Sequence, residues 1–392
     1  MKNLFYRSTT LAFIAITLLF SHNLRANQPF VSPAAPSFSG TAHIVIDYDS
    51  NAIIAQGNPD LLIEPASLTK IMTGYVVFNE IKHERIKLDD MVTISEKAWR
   101  MPGSRMFIEV GRQVSVLDLI KGMVIQSGND ASVALAEHIA GTEERFAQLM
   151  NQYALELGMQ NTNFLNSTGL PDPEHLTTVR DLSILTRALI RDFPDYYNWY
   201  SEKRFTFNGI TQYNRNRLLW QDPTVDGLKT GHTSSAGYCL VSSANRNDMR
   251  VIVVVAGTQS ATQRISESQK LLNYAFRFYE THKLYEKDQR LIDARVWLGV
   301  RDTLGLGIAD EVYVTVPRGQ YQNLKIETLT PKQIEAPIVL GDKIGQLVIS
   351  LHDEVLVEKP LIALSDIEQA SFFKRLIDRI KLLFRGLFSK DD

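Results

Sequence analysis

Hydrophobic positions up to residue 279 follow two periods, one typical of helices and one typical of strands. Apolar residues at steps of three and four predict helices, because such residues share one face of a helix. These helical patterns cover a segment that begins at Glu64 and the segments 116–125, 131–140, 142–157, 178–191 and 262–279. Apolar, β-branched runs predict strands at 42–47, 53–55, 204–207, 235–244 and 249–255. Strands at both ends with helices between them predict an α+β domain over 40–283, with an antiparallel sheet, covering helices and an all-helical portion.

The pattern changes at residue 284. Short apolar runs then alternate with Pro- and Gly-containing turns at spacings of roughly 8–12 residues, which is typical of a small all-β sandwich. The runs are 312–316, 324–328, 338–340, 345–351 and 354–357. We therefore predict a β-sandwich domain over 284–365. It holds no recognisable catalytic constellation, which favours a spacer or partner-docking module over a second active site.

The C-terminal segment is strongly amphipathic. Between Phe372 and Phe388, apolar residues recur at steps of three and four, and basic residues lie mainly on the other side of the helical wheel. The basic residues are Lys374, Arg375, Arg379, Lys381 and Arg385. We predict that 366–392 contains an amphipathic helix that lies in the headgroup plane of an anionic membrane. The alternative is an ordinary helix packed on a domain.

The first 26 residues are typical of a secretory signal peptide. Lys2 and Arg7 lie near an apolar run at 11–20, and Ala26 ends a short segment suited to cleavage. The alternative is an uncleaved transmembrane anchor, but about ten apolar residues are too few to span a bilayer comfortably. A Pro/Ser-rich linker over 27–39 follows. We expect an exported protein.

Composition excludes several classes of function. The 44% hydrophobic and 22% charged residues are usual for a globular protein, and a formal charge of −2 offers no basic excess for nucleic acid. Cys239 is the only cysteine, so neither an intramolecular disulfide nor a thiolate metal cluster can form. The eight histidines form no recognisable metal-ligand pattern. We expect no metal and no cofactor.

Three short motifs carry the candidate chemistry. In chain order they are Ser67-Leu68-Thr69-Lys70, Ser127-Gly128-Asn129 and Lys229-Thr230-Gly231. Each alone occurs by chance in many proteins of this length. All three in this order, each on the predicted element that its chemistry requires, form the signature shared by penicillin-binding proteins and serine β-lactamases.

The first two motifs supply groups for acyl transfer. Ser67 and Lys70 share one helical face, and a serine nucleophile needs a positioned base. Lys70 serves as that base if burial and neighbouring cations lower its pKa, and Lys229 is the candidate neighbour. No other serine is expected to have a lysine placed as its base. In the predicted interhelical loop, Ser127 can relay a proton to a leaving amine and Asn129 can hold a substrate amide.

The third motif offers groups for a terminal carboxylate. Lys229 and Thr230 supply a cation and a hydroxyl, and Gly231 is expected to keep the strand face open for a peptide-like substrate. Arg215 and Arg217 lie upstream and bring two guanidiniums, which suit bidentate binding of a carboxylate. The sequence does not decide between these two arginines.

Longer stretches around the motifs resemble the D-alanyl-D-alanine carboxypeptidases of the low-molecular-mass penicillin-binding protein group (peptidase family S11). These stretches are 65–73, 166–173, 226–233 and 271–279. The signal peptide, the β-rich second domain and the amphipathic tail fit the same family. The resemblance implies removal of the terminal D-alanine from peptidoglycan stem pentapeptides and covalent inhibition by β-lactam antibiotics. It also implies a peripheral location at the periplasmic face of the inner membrane.

The resemblance further implies a role for each motif residue. Ser67 is the acylated nucleophile and Lys70 its base, and Ser127 and Asn129 act in proton relay and substrate binding. The groups that receive the substrate carboxylate or the oxyanion are Arg215, Lys229, Thr230 and the backbone N–H groups of Ser67 and His232.

Three other functions stay open. A D,D-endopeptidase would cut cross-linked stem peptides with the same chemistry. A class A β-lactamase would need a Glu-x-x-Leu-Asn element between the second and third motifs, and 171–178 lacks that spacing. A non-catalytic, membrane-associated scaffold would not need the motif residues, all of which are present.

Overall fold

The structure is a computed structural model that describes residues 33–388. The predicted signal peptide at 1–26 and the first part of the predicted linker lie outside the described residues. From Ala34 onward the chain forms one compact unit. No helix within 33–388 is long and apolar enough to cross a membrane.

Helices occupy the segments that apolar periodicity predicts, and most of their ends lie within two residues of the predicted ones. The helices are α1 Lys70–Lys82, α2 Glu96–Trp99, α3 Val116–Ile125, α4 Asn129–Ala140, α5 Glu143–Leu157, α6 Val179–Asp192, α7 Pro194–Tyr197, α8 Leu218–Gln221, α9 Ala261–Phe278 and α10 Phe372–Phe388. Three 3-10 turns, Ala66–Thr69, Asn198–Ser201 and Tyr321–Asn323, supplement them. The helix expected to begin at Glu64 is an exception, because a 3-10 turn precedes its α-helical part, and the short helices α2, α7 and α8 were not predicted. The hydroxyls of Ser115, Thr142 and Ser260 each accept a backbone N–H from the first turn of the helix that follows, which fixes where α3, α5 and α9 begin.

Strands before residue 279 build one central sheet and two small two-stranded sheets. They are β1 Ala42–Asp47, β2 Ile53–Gly57, β3 Met91–Thr93, β4 Gln113–Ser115, β5 Arg204–Phe207, β6 Ile210–Tyr213, β7 Val225–Thr233, β8 Gly237–Arg246 and β9 Met249–Thr258. The central sheet has the order β2-β1-β9-β8-β7, and its neighbouring strands are all antiparallel. Strand β7, which carries the third motif, is therefore an edge strand.

Both faces of the central sheet are buried. Ile44 and Ile252 belong to the core beneath the helical portion, whereas Val45 and Val253 belong to a second core covered by α9. Since alternate residues point into different cores, β1 and β9 appear in the sequence as continuous apolar runs. The α+β fold predicted for this region is confirmed.

The remaining strands form the C-terminal β domain. They are β10 Tyr279–Tyr285, β11 Arg290–Trp297, β12 Thr303–Gly307, β13 Val312–Pro317, β14 Leu324–Leu329, β15 Ile334–Glu335, β16 Lys343–Leu351 and β17 Glu354–Ala363. One sheet pairs β10 with β13, and the other has the order β14-β16-β17-β12-β11-β15. The predicted all-β second domain and its strands near 312, 324, 345 and 354 are confirmed.

Two details of this region differ from the prediction. The segment 338–340 is not a strand, because only Ile338 forms a bridge, to Ile367. Strands β10, β11 and β12 were not predicted. Strand β10 follows α9 without an intervening turn signal and spans the predicted boundary at 283/284, and β11 interrupts its apolar positions with Arg290, Asp293 and Arg295.

Helix α10 covers the predicted amphipathic segment and packs on the C-terminal β domain through its polar side. The backbone N–H of Leu298 donates to Asp378 Oδ2 at 3.0 Å, and Lys374 Nζ lies 2.8 Å from Asp302 Oδ1. The apolar side faces outward, with Phe373 75% and Leu383 68% exposed. An ordinary packed helix has the opposite orientation, because burial of apolar area is what normally stabilises it.

Candidate active site

Ser67 lies in the 3-10 turn that leads into α1, and Lys70 begins that helix. The Lys70 side chain is buried, and its Nζ donates to Ser67 Oγ at 3.2 Å. The other two ammonium protons have acceptors in Asn129 Oδ1 at 2.7 Å and the Thr168 carbonyl at 2.6 Å. The predicted nucleophile and its predicted base are therefore in direct contact.

The pKa of Lys70 suits a general base. Burial, together with the positive charge of Arg215, lowers this pKa to about 7, although nearby carboxylates oppose the shift. A lysine with such a pKa is partly neutral at pH 7, so its lone pair can accept the Ser67 proton. The sequence-based expectation named Lys229 as the neighbouring cation; Lys229 and Lys70 do interact as like charges, and Arg215 is a further cation that lowers the pKa of Lys70.

Ser127 joins the second motif to the third. Lys229 Nζ donates to Ser127 Oγ at 2.8 Å and to the Thr230 carbonyl at 3.1 Å. Burial and the charges of Lys70 and Arg215 hold the pKa of Lys229 well below its usual value. The site thus contains a second serine–lysine pair. The sequence-based expectation that no serine other than Ser67 has a lysine placed as its base stays a prediction, and Lys229 is the lysine on which it depends.

The backbone of Ser127 is in the left-handed region, with φ of +67°. That conformation costs a non-glycine residue about 1–2 kcal/mol. The residue is also buried, so its hydroxyl position depends on the helices at either side, α3 and α4.

Asn129 is the first residue of α4, not part of the loop as predicted. Its side chain accepts from Lys70 and donates through Nδ2 to the Pro102 carbonyl at 2.6 Å. The next residue, Asp130, is buried and accepts the backbone N–H groups of Met106 at 3.0 Å and Phe107 at 2.9 Å. Asp130 therefore holds the segment after Pro102 against the second motif.

Sequence reasoning did not assign the groups that support Lys70 from the other side. Asn166 Oδ1 accepts the backbone N–H of Gly169 at 2.7 Å and that of Thr168 at 3.1 Å, which is the geometry of an Asx turn. Glu143 is buried and accepts both the N–H and the hydroxyl of Ser167, at 3.0 and 2.8 Å. These bonds fix the Thr168 carbonyl that receives Lys70. The local signal was the Asn-Ser-Thr-Gly run, whereas Glu143 is 24 residues away.

A cavity of about 690 Å³ opens beside Ser67. It brings together the predicted residues Ser67, Ser127, Arg215, Arg217, Thr230, Gly231 and His232. Tyr213, Tyr238 and Arg264 also line it and were not predicted. The described residues around the cavity include three arginines and no carboxylate, so the cavity suits an anionic group.

The three arginines differ in their surroundings. Arg217 lies over the Trp220 ring, 5.4 Å from its centroid. Arg264 lies over the Tyr238 ring at 5.6 Å and donates to the Gly231 carbonyl at 3.2 Å. The Arg215 guanidinium lowers the pKa of both active-site lysines and is therefore the arginine most strongly coupled to them.

The structure gives a reason for glycine at position 231 that the sequence did not predict. A Cβ at this position would lie 3.0 Å from the Pro65 carbonyl oxygen and 3.2 Å from the Leu68 side chain. The glycine therefore lets the turn that carries Ser67 pack closely on β7. The sequence-based explanation, an open strand face for substrate, stays a prediction, and Gly231 does line the cavity.

The part of the chain that the structure describes holds neither a metal-ligand cluster nor an exposed thiol. Within 33–388 no three His, Cys, Asp or Glu side chains are arranged to hold a metal ion. Cys239 is buried, and burial raises its thiol pKa to about 11, so the reactive thiolate is scarce at neutral pH.

Comparison with solved structures identifies the class of protein. The chain is similar to penicillin-binding protein 5 from Haemophilus influenzae, with a TM-score of 0.84 and 42% identity, covering 86% of this chain and 99% of that one. It is also similar to penicillin-binding protein D2 from Listeria monocytogenes in an ampicillin-bound form, with a TM-score of 0.58 and 29% identity, covering 62% of this chain and 99% of that one. The fold is that of the penicillin-binding proteins.

Sequence comparison narrows this class to one family. Residues 30–260 match the family described as D-alanyl-D-alanine carboxypeptidase, and 279–369 match the C-terminal domain of penicillin-binding protein 5. The D-alanyl-D-alanine carboxypeptidase DacC of Escherichia coli is 46% identical over 382 residues, which is 95% of each chain. The chain belongs to the D-alanyl-D-alanine carboxypeptidase family, as the motifs predicted.

Proposed function

We propose that this protein is a serine-type D-Ala-D-Ala carboxypeptidase that removes the terminal D-alanine from peptidoglycan stem pentapeptides. The observation that carries the proposal is the contact of Lys70 Nζ with Ser67 Oγ, at 3.2 Å, beside a cavity without carboxylates. The pKa of Lys70, about 7, makes this contact a base–nucleophile pair at neutral pH.

In the acylation step, Ser67 Oγ attacks the carbonyl carbon of the penultimate D-alanine and Lys70 takes the hydroxyl proton. Negative charge develops on the carbonyl oxygen, which the backbone N–H groups of Ser67 and His232 receive. Ser127 passes a proton to the amine of the leaving D-alanine. Its 2.8 Å bond to Lys229 supplies the path for that proton. Water then attacks the ester, with Lys70 again as base, and releases the shortened peptide.

The substrate carboxylate is bound by Thr230, Lys229 and Arg215. Thr230 lines the cavity, and Arg215 is the arginine whose charge reaches both lysines. We favour Arg215 over Arg217 because the guanidinium of Arg217 is engaged by the Trp220 ring. Asn129 orients Lys70 and offers its amide to the substrate backbone.

The same site would be acylated by β-lactams, whose strained amide and carboxylate match the two ends of this cavity. The Listeria relative is described in an ampicillin-bound form. The test is to label the purified protein with a fluorescent penicillin and measure one adduct by intact mass. Release of D-alanine from a D-Ala-D-Ala peptide is measured in the same preparation. Labelling without D-alanine release would favour a non-catalytic scaffold.

A D,D-endopeptidase uses the same groups on another substrate. It is distinguished by comparing hydrolysis of a cross-linked dimer of stem peptides with hydrolysis of a pentapeptide. A class A β-lactamase is disfavoured by the loop at 171–178. Its single glutamate, Glu174, is exposed and does not line the cavity.

The proposed location is the periplasmic face of the inner membrane, after removal of residues 1–26. The exposed apolar side of α10 supports attachment to a membrane surface, because water otherwise contacts a continuous row of large apolar side chains. The exposed residues are Phe372, Phe373, Leu376, Ile377, Ile380, Leu383 and Phe384. Sedimentation with vesicles, described below, tests this attachment.

A further inference from the structure

The side of α10 that faces the C-terminal β domain is polar and leaves a cavity beside it. Asp378 and Lys374 make the docking contacts, and one and two turns further along the same side lie Lys381 and Arg385. These two side chains line a cavity of about 730 Å³ whose opposite wall is formed by the β domain.

The β-domain wall is also basic. Arg295 comes from β11 and Lys332 from the turn between β14 and β15, so four cations converge on this cavity. The one acid in the lining is Asp293, which is already engaged by Arg290 in an ion pair. Within residues 33–388, no carboxylate forms an ion pair with Arg295, Lys332, Lys381 or Arg385. Asp302, the ion-pair partner of Lys374, adds negative charge near Arg295 and Lys381. The four cations still outnumber these two acids, so the cavity attracts an anion.

One of these cations is held in a fixed orientation. The Arg295 guanidinium lies over the Trp297 ring at 4.0 Å from the centroid, and Trp297 is only 4% exposed. A guanidinium stacked on a rigid ring loses less entropy when it binds an oxyanion, and its fork matches two phosphate oxygens. The cavity is therefore organised for an anion before any ligand arrives.

We propose that this cavity binds the headgroup phosphate of an anionic phospholipid. Arg295 and Lys332 supply charge from the β domain, and Lys381 and Arg385 supply it from α10. The inference rests on the proposed membrane attachment, and it adds a specific headgroup site to that attachment. The membrane is the occupant favoured over free phosphate, because the exposed apolar side of the same helix offers a surface for acyl chains. A lipid in this site would join the helix to the β domain and fix the domain on the bilayer.

The test uses the mature full-length protein and a pair of matched double variants. Arg295→Gln with Lys332→Gln removes two charges from the cavity wall. Lys343→Gln with Lys359→Gln removes two exposed charges from β16 and β17, which are separated from β11 in the sheet by β12. Co-sedimentation is measured with phosphatidylcholine vesicles, with and without phosphatidylglycerol. Hydrolysis of a soluble peptide, which involves none of these residues, reports correct folding.

The partition coefficient of the cavity variant on vesicles that contain phosphatidylglycerol should fall about tenfold relative to the control variant. On vesicles of phosphatidylcholine alone, the two variants should partition equally. Equal losses in both double variants would show diffuse attraction only and overturn the proposal. Absence of any phosphatidylglycerol effect on the wild-type protein would also overturn it. Calorimetry with inorganic phosphate distinguishes the two sources of the anion. If only the cavity variant loses phosphate binding, while both variants bind vesicles equally, the site takes free phosphate and the lipid proposal fails. Failure of the wild-type protein to bind either vesicle would instead refute the membrane attachment itself.

Discussion

At the residue scale, the site depends on two buried lysines whose ammonium groups touch two different serines. Lys70 contacts Ser67 at 3.2 Å, and Lys229 contacts Ser127 at 2.8 Å. Burial lowers the pKa of both lysines, but only Ser67 lies on the turn that packs against β7 beside His232, where a substrate carbonyl can be received. This difference supports the proposed division of roles, with Ser67 as the nucleophile and Ser127 as the proton relay.

Ser67→Ala should abolish both penicillin labelling and D-alanine release, because the nucleophile is lost. Since Ser127 also has a lysine beside it, the adduct in the wild-type protein must be located by peptide mass mapping. The control is Ser127→Ala, which keeps the nucleophile and should still be labelled, although more slowly. A labelled Ser67→Ala protein, or an adduct that maps to Ser127, would contradict the assignment.

The pH dependence of acylation should follow the ionisation of Lys70. Because neutral Lys70 is the base, the second-order rate constant for penicillin acylation should rise with pH through about 7. The positive charge of Arg215 lowers this pKa, so Arg215→Gln should raise it and move the midpoint to higher pH. Arg217→Gln is the matched control and should leave the midpoint unchanged. An equal shift in both variants, or in neither, would argue against Arg215 as the coupled cation.

The sequence predicted which candidate side chains meet at the cavity, because each motif is local. Ser67 and Lys70 are three residues apart, and their chemistry follows from that spacing. The supporting groups come from distant parts of the chain: Asp130 binds N–H groups 22–24 residues earlier, and Arg264 reaches a carbonyl 33 residues away. No local pattern marks such partners, so Asp130, Glu143 and Arg264 could be found only in the folded chain.

At the scale of elements, most ends of the long helices were predictable to within two residues, because their apolar faces repeat over several turns, whereas the four-residue helices carry no such repeat. The strands of the C-terminal β domain were less predictable from the sequence. In β11, Ala294 and Val296 face the core, but arginines and aspartate separate the apolar positions. The burial of such a strand is decided by its neighbours β12 and β15, which its own sequence does not encode.

Deletion of 371–392 should release the protein from vesicles and leave hydrolysis of soluble peptides unchanged. The helix contributes no residue to the cavity at Ser67, and its apolar side is exposed. Anionic lipid should strengthen binding of the full-length protein and salt should weaken it, since basic residues outnumber acidic ones in this segment. Equal sedimentation of both forms, or loss of activity in the truncated form, would mean that the helix belongs to the folded core.

For the whole molecule, the catalytic portion and the C-terminal β domain form a continuous structure. Helix α9 ends at Phe278 and β10 begins at Tyr279 without a linker. Thr281 Oγ1 donates to Asp47 Oδ2 at 2.7 Å, and the hydroxyls of Ser50 and Thr315 lie 2.5 Å apart. These hydrogen bonds couple the sheet of β10 and β13 to the end of β1.

The penicilloyl adduct should persist over minutes while the peptide adduct turns over. Opening of a β-lactam ring leaves the amine tethered to the acyl group, so it is not released to make room for water. The loop at 171–178 supplies no glutamate to the cavity that could activate that water. Intact mass spectrometry over time checks this, with D-alanine release as the control for a competent enzyme. Rapid multiple turnovers of penicillin would favour a β-lactamase.

The left-handed backbone of Ser127 implies a trade-off between activity and thermal resistance. Glycine adopts φ near +67° without steric cost, so Ser127→Gly should be more stable than Ser127→Ala by about 1 kcal/mol, although both lack the hydroxyl. Urea unfolding of the two variants measures that difference. Selection for heat tolerance alone would favour glycine at this position, and the hydroxyl that relays the proton would be lost. Serine at this position carries the backbone cost together with the hydroxyl that bonds Lys229.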